Sequence, residues 1–342
     1  MKRYLINWGE KNKTEITEEL LSLIANAQKN IKIGNFIFEY QDVIEGLKNA
    51  MEKEVAVFIL SNPGNENEDG YKSHLNNLIQ LASLGAHVRY LDDLHAKFVI
   101  CDDSSGIVTS ANNNQTSLAL NSETGVTIHG QDAEQLAMVF NKLFLNADIT
   151  QLSDDGLTRV KSRQSSREFM IDETPLLASN IRITLNSEKK TNLEGKAVKH
   201  LYDEIISIID GAKKECFIVT WHFSCAGNKL KRFVDSIEKA VKRGVKITFY
   251  SNAYDTSYSQ SVNNQPSLTR LLRISDEIYG DNNNHSKCVI TESAGIVFSA
   301  NIDPIGLETG FEVGVILSEE DRVAALAHIR DLISANPNKI RF

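Results

Sequence analysis

Two of the eight histidines, His95 and His285, open matching triplets: His95-Ala-Lys97 and His285-Ser-Lys287. Each triplet runs into an apolar, β-like stretch. On a strand, residues two apart share a face, so each imidazole would project beside its lysine. The next strand candidates carry Ser110 with Asn112 and Ser299 with Asn301, again two apart. The alternation predicts a compact polar set, offered twice: imidazole, ammonium, hydroxyl and carboxamide. That set suits a phosphodiester. Lysines and asparagines donate to the non-bridging oxygens, whose charge grows in the transition state. One imidazole attacks phosphorus and the other protonates the leaving oxygen. An imidazole of ordinary pKa, about 6.5, is a competent neutral nucleophile near pH 7. Its other nitrogen needs an acceptor to fix the tautomer. Glu123 and Glu312, each downstream of the Asn of its own half, are the candidates.

These residues sit in step because the chain repeats itself. A strand candidate from Arg3 to Trp8 matches one from Ile181 to Asn186, and a helix follows each, at 16–28 and 195–213. Apolar strands come next, NIKIGNFIF and ECFIVTWHF, then helices around VIEGLKNAMEKE and KLKRFVDSIEKAVKRG. Strands ending in Ser-Asn follow, AVFILSN and KITFYSN. From there the intervals agree: Asn62 to His95 equals Asn252 to His285, and Asn112 to Glu123 equals Asn301 to Glu312. Duplicated α/β units of this length imply two similar lobes rather than a solenoid. Residues 150–180, rich in Ser, Asp and Arg and without periodicity, read as a linker between a first lobe at 1–149 and a second at 181–342.

The segments LHAKFVICDDSSGIVTSAN and NHSKCVITESAGIVFSAN resemble the HKD signature of the phospholipase D superfamily, His-x-Lys-x4-Asp followed by Ser-x-Asn. The first copy matches through Asp102; the second has Glu292 where the family has Asp. The Gly usual before the motif's Ser is Thr109 in one copy and Phe298 in the other. Strand alternation puts Asp102 and Glu292 opposite the His and Lys, in a structural role. The resemblance covers nearly the whole chain apart from 150–180. It implies a duplicated phospholipase D-like α/β fold, with two lobes related by a pseudo-two-fold axis, each a mixed sheet flanked by helices. It implies one site at the seam, completed within a monomer, and a phosphohistidine intermediate resolved by water without a metal. It matches Glu123 and Glu312 to the histidine-orienting acid and favours His95 as nucleophile.

Substrate class rests on what surrounds the motif. Ser110 and Ser299 are candidate site hydroxyls. By the repeat offset Phe36 and Phe38 correspond to Trp221 and Phe223. Trp221 and Phe223, leading into a loop, are the better candidates for stacking on bases; core packing accounts equally well for the other pair. Two basic regions, Thr158–Arg167 and 228–246, suit a phosphate backbone, though such faces are commonly only solvated. The net charge of -8 neither announces nor excludes a nucleic-acid binder. No run of 18 apolar residues and no signal-peptide core occurs, so a cytoplasmic protein without integral membrane association is expected. Cys101, Cys216, Cys225 and Cys288 lack CxxC spacing and read as buried free thiols. No carboxylate cluster suits magnesium, so neither metal nor other cofactor is expected. The reading that follows is a nuclease, with DNA favoured over RNA, serving a bacterial defence or restriction system with a partner protein. The alternatives are a phospholipase D or cardiolipin synthase-like transferase, which calls for an apolar landing surface, and an inactive nucleic-acid-binding module, against which the intact histidines argue.

Overall fold

A computed structural model describes residues 3–62, 71–153, 156–160, 171–185, 197–225, 230–252 and 273–337. Two mixed sheets result, and their strands run in the same order. The first lobe contributes β1 (Tyr4–Trp8), β2 (Lys13–Thr14), β3 (Asn30–Gly34), β4 (Ala56–Ser61), β5 (His87–Tyr90), β6 (Phe98–Cys101), β7 (Ser105–Thr109) and β8 (Ser122–His129). They are ordered β2-β1-β8-β7-β6-β3-β4-β5. A hairpin, β9 (Asp148–Ser153) and β10 (Gly156–Val160), extends this sheet beyond β5. The second lobe contributes β11 (Ile181–Leu185), β12 (Val198–Lys199), β13 (Glu215–Thr220), β14 (Lys246–Ser251), β15 (Glu277–Gly280), β16 (Cys288–Thr291), β17 (Gly295–Phe298) and β18 (Glu312–Ile316). Their order, β12-β11-β18-β17-β16-β13-β14-β15, repeats the first position for position. In each lobe three parallel strands meet an antiparallel block, at β3–β6 and at β13–β16.

Both faces of each sheet are apolar because both are covered. Helices α1 (Glu15–Asn26), α2 (Gln41–Glu52) and α3 (Tyr71–Ser83) cover the outer face of the first sheet. On α1 the buried Ile16, Leu20 and Ile24 recur every fourth residue, which makes one stripe of a helix. Helices α6 (His200–Gly211) and α7 (Lys231–Lys242) do the same for the second sheet. Between the lobes, α4 (Gln131–Asn146) and α8 (Glu319–Ala335) share one continuous core with strands of both sheets. Phe98 and Phe140 of the first lobe and Val219 and Ile290 of the second belong to that single cluster. The lobes are thus two halves of one packed body.

Three sequence readings need correction. The stretch read as a linker begins as the β9–β10 hairpin, whose half-exposed faces carry too few apolar residues to leave a period. It continues into α5 (Glu173–Ala178), which contacts α4 and β11. The motif residues do not lie on strands: β6 starts after Lys97 and β7 ends before Ser110. Past the strand ends the backbone of His95 and His285 bonds to the other lobe, while Ser110 and Ser299 bond to β8 and β18 of their own. The helix expected from residue 195 starts at His200, and residues before 197 in that stretch lie outside the described ones.

Gly34 ends β3, which delivers Asn35 and Phe36 to the seam. A Cβ there would lie 2.4 Å from the Phe98 ring. Phe98 follows Lys97 and is buried in the shared core, so the ring has little room to yield. Gly34→Ala is expected to lower the unfolding free energy by about 1–3 kcal/mol, measurable by denaturant titration.

Candidate active site

The seam is made by backbone first. His95 N and Ala96 N both donate to Phe311 O, at 3.1 and 2.8 Å, and Phe311 N donates to Asp93 O at 2.9 Å. At the mirror position His285 N donates to Ser122 O at 2.9 Å, and Ser122 N to Asn283 O at 2.8 Å. Phe311 and Ser122 immediately precede Glu312 and Glu123. Each histidine is therefore fastened beside the glutamate of the opposite lobe.

The side chains follow that crossing. His95 Nδ1 lies 2.6 Å from Glu312 Oε1, and His285 Nδ1 lies 2.7 Å from Glu123 Oε1. Ser110 Oγ donates to Glu123 Oε2 at 2.5 Å, and Ser299 Oγ donates to Glu312 Oε2. Each hydroxyl in turn accepts the backbone N–H after its glutamate, Thr124 at 2.9 Å and Val313 at 3.0 Å. Both serines are fully buried. They stand behind the carboxylates and do not face the cleft, which corrects the reading of Ser110 and Ser299 as substrate-binding hydroxyls.

Lys97 and Lys287 are fully buried, an expensive place for an ammonium. Lys97 Nζ donates to His95 O at 2.5 Å and Lys287 Nζ to His285 O at 2.9 Å. Burial pulls Lys97 down to about 8 and Lys287 to about 7, against the lift from Glu123 and Glu312. Burial also lowers both imidazoles, His285 to about 4, with the lysines adding to the effect and the glutamates opposing it. Burial alone would raise Glu123 and Glu312; the imidazoles and lysines they face outweigh it, and both lie below the usual range. Each imidazole feels the lysine of the other lobe as well as its own, so the motifs form one electrostatic unit.

The two histidines are not equivalent. His95 has 27% of its side chain exposed and meets Glu312 in line, so a neutral ring donates Nδ1–H and keeps its lone pair on Nε2. The His285 side chain is only 10% exposed, and both its nitrogens lie against Lys287 Nζ, at 3.2 and 3.3 Å. Its Nδ1 lies 2.7 Å from Glu123 Oε1 and is shared with the Lys287 ammonium. Asn112 Oδ1 and Asn301 Oδ1 are buried without a partner.

Aromatic rings flank both imidazoles. Phe36 lies 5.9 Å from His95 and Trp221 lies 5.6 Å from His285, ring centre to ring centre. Both are half-buried. Phe223 is instead buried against Phe233 and Phe249 in the second outer core, because its backbone turns back to bridge Ile302. It is not a groove residue, which corrects the sequence reading. The groove ring that reading left undecided is Phe36; its register with Trp221 was the signal. Phe38 stacks on the buried His74.

The remaining motif positions are structural. Asp102 accepts the backbone N–H groups of Gln28, Lys29 and Asn30, closing the turn between α1 and β3. Glu292 does the same for Lys213, Lys214 and Glu215, so the longer side chain is tolerated. The basic stretches are largely engaged elsewhere. Arg159 binds Asp92 and Asp148, Arg232 binds Asp203, Lys246 binds Glu277, and Arg243 donates to the carbonyls ending α6. Lys161, Arg163, Arg167 and Lys229 lie outside the described residues. All four cysteines are buried free thiols. Among the described residues no three His, Cys, Asp or Glu side chains cluster to hold a metal ion. No helix among them is long and apolar enough to cross a membrane.

Comparison with known proteins agrees with this geometry. The family described as "Cardiolipin synthase, PLD-like domain" matches residues 20–144 and 205–331, one match per lobe and together more than half the chain. No curated protein matches the sequence. Among solved structures, phosphatidylserine synthase from Haemophilus influenzae Rd KW20 is similar, with 12% identity and a TM-score of 0.65 over 96% of this chain and 85% of that one. Polyphosphate kinase from Porphyromonas gingivalis is similar at 12% identity and a TM-score of 0.60 over 95% of this chain. This chain spans about half of that kinase, 49% of its length. Nuc, a phospholipase D family member from Salmonella typhimurium, matches at 18% identity and a TM-score of 0.37 over 46% of this chain and 98% of its own. At these identities the likenesses to the synthase and the kinase speak for the fold, and the family match speaks for descent. The chain belongs to the phospholipase D superfamily, whose members act on phosphodiester bonds, and it carries the duplicated fold of that superfamily with both motif copies in one polypeptide.

Proposed function

We propose that this protein is a nuclease, cleaving DNA foremost, through a covalent intermediate on His95. The observation that carries the reading is the pair of half-buried rings, Phe36 and Trp221, set one beside each imidazole. A phosphodiester drawn between the histidines would leave its flanking nucleosides against those rings, and a base stacked on an aromatic contributes about 1–3 kcal/mol.

The steps follow from the site. His95 Nε2 attacks phosphorus while Glu312 holds the proton on Nδ1. The bond to the leaving oxygen breaks, and His285 gives that oxygen a proton. Lys97, Lys287, Asn112 and Asn301 donate to the non-bridging oxygens. Water then attacks phosphorus, His285 takes its proton, and the bond to His95 breaks. An anionic phosphodiester between the imidazoles favours the protonated form of His285, which supplies the acid that the empty site holds back.

The lysines set a pH signature. They must be charged to serve the phosphate oxygens, and their pKa values of about 7 and 8 lie below that of an ordinary lysine. As pH rises through that interval the free enzyme loses both charges, so kcat/KM, already limited by the small protonated fraction of His285, is expected to fall more steeply there. The acid limb, where His95 takes up a proton and stops attacking, is expected below the ordinary histidine range. A bound phosphate raises the lysines, so the alkaline limb of kcat should lie higher. A kcat/KM profile still rising at pH 9 would contradict this.

A second reading, phosphatidyl transfer, draws support from the family's description and from the likeness to a phosphatidylserine synthase. In it an alcohol replaces water in the second step. Purified protein incubated in EDTA with plasmid, single-stranded DNA, RNA and phosphatidylcholine vesicles separates the two. Cleavage of nucleic acid is the expected result. Turnover of lipid alone overturns the nuclease reading, and loss of all activity in EDTA overturns the metal-free chemistry.

A further inference from the structure

Among the described residues the hairpin β9–β10 has no counterpart in the second sheet, whose outermost strand there is β15. It pairs with β5 at only two positions, Arg89 with Ile149 and Tyr90 with Asp148. Thr150 Oγ1 adds a bond to Val88 O at 2.7 Å, and Arg159 makes a further side-chain hold. That guanidinium donates from Nη1 and Nη2 to the two oxygens of Asp92, both at 2.8 Å, and from Nε to Asp148 Oδ2 at 2.6 Å. A two-point grip of this kind fixes orientation as well as distance.

What Arg159 grips is the turn that leads into the site. Leu94 N closes the turn on Leu91 O at 3.3 Å, and Asp93 within it takes a left-handed φ of 60°. Asp93 O is the acceptor for Phe311 N, and the residues following the turn, His95 and Ala96, donate back to Phe311 O. Phe311 precedes Glu312. One end of the turn is thus in the hands of Arg159, and the other fixes both His95 and the carboxylate that orients it.

The repeat gives a reason. In the second lobe the equivalent turn closes from Asn284 N to Asp281 O and is held from β14: Tyr250 Oη donates to Asp281 Oδ2 at 3.2 Å, and Asn252 Nδ2 to Asn282 O at 2.6 Å. By register Tyr250 and Asp281 correspond to Leu60 and Leu91, two aliphatic residues buried in the shared core. They cannot make that polar bond. Where the second lobe has the Tyr250–Asp281 bond, the first has the Arg159–Asp92 pair on its turn.

We propose that Arg159 is a positioning residue for His95, holding the Asp92 turn so that His95 meets Glu312 in line, in place of the Tyr250–Asp281 anchor of the other lobe. This rests on the reading of His95 and Glu312 as a reactive pair, and its test is chosen to need no substrate. In the full chain labelled with nitrogen-15 at histidine, His95 and His285 are assigned with His95→Ala and His285→Ala. The wild-type protein should give a far-downfield Nδ1 proton for His95. In Arg159→Gln that resonance is expected to move upfield or vanish by exchange while the His285 signals stay in place. Asp92→Asn leaves the Arg159–Asp148 pair and the hairpin standing, and should give the same change. Arg159→Lys, which keeps charge but loses the fork, should fall between. On whichever phosphodiester is turned over, kcat in Arg159→Gln should drop about tenfold with little change in KM, the mark of lost orientation rather than lost binding. Unchanged His95 signals in folded Asp92→Asn, or equal disturbance of both histidines with a lowered Tm, would overturn the proposal. A failure of the nuclease reading would leave the resonance result standing.

Discussion

Replacing His95 with Ala is expected to lower turnover by on the order of 10⁴-fold or more, because in the proposed mechanism the bond to phosphorus forms on that ring. His285→Ala should be nearly as severe on a natural phosphodiester, and the two losses should differ in kind. In the proposed mechanism His285 gives its proton to the leaving oxygen, so a leaving group that needs no proton should bypass it. With a p-nitrophenyl ester of a nucleotide, His285→Ala should still release one equivalent of p-nitrophenolate in a burst and then stall, since no base remains to activate water. His95→Ala should release none. Stopped-flow absorbance distinguishes the two. The assignment rests on the asymmetry in the seam: His95 is the more exposed ring and is in line with its carboxylate, whereas His285 lies against Lys287 and Trp221. A burst from His95→Ala and none from His285→Ala would reverse the roles.

Glu312→Gln should cost about 10²–10⁴-fold in kcat, a range set by what tautomer errors do elsewhere. Ser299 Oγ donates to Oε2 of Glu312, and its oxygen accepts Val313 N. A carboxamide in that place keeps its oxygen toward Ser299 and turns its NH2 toward His95 Nδ1. His95 must then accept at Nδ1 and carry its proton on Nε2, where the attacking lone pair is needed. Because the pairing crosses the lobes, the variant in the second lobe should disable the nucleophile of the first. In rapid-mix experiments with the p-nitrophenyl ester, Glu312→Gln should lose the burst. Glu123→Gln should retain it and lose steady-state turnover. A burst retained at wild-type rate in Glu312→Gln would remove the orienting role.

Much of this was legible because a duplication writes the same constraint twice. The likeness of the two lobes, the mixed character of their sheets and the meeting of the two motifs follow from matched intervals and from a family resemblance of high specificity. The crossing of the glutamates was not legible. A sequence with near-symmetric halves gives Glu123 and Glu312 equal claim to either histidine, and only the backbone bonds of Phe311 and Ser122 decide between them. Ser110 and Ser299 were read by strand alternation as sharing a face with Asn112 and Asn301. The strands end one residue earlier, and the hydroxyls turn to the carboxylates instead. Trp221 and Phe223 looked alike for the same reason, until the bridge to Ile302 carried Phe223 into the core. The stretch holding Arg159 was open to reading as a phosphate track or a solvated face, and the ion pairs of Arg159 are neither. Its partners Asp92 and Asp148 are distant in sequence or hidden in an aperiodic hairpin, and composition alone says nothing of them.

The whole account stands on His95 becoming bonded to phosphorus inside a cleft that both lobes build. The direct observation is peptide mapping by mass spectrometry of His285→Ala protein quenched seconds after mixing with the p-nitrophenyl nucleotide ester. A nucleotidyl group on the peptide holding His95, absent when Glu312 is also changed to Gln, is the result this account predicts. A nucleotidyl group on any other residue, or none in protein that has released its equivalent of p-nitrophenolate, would contradict it.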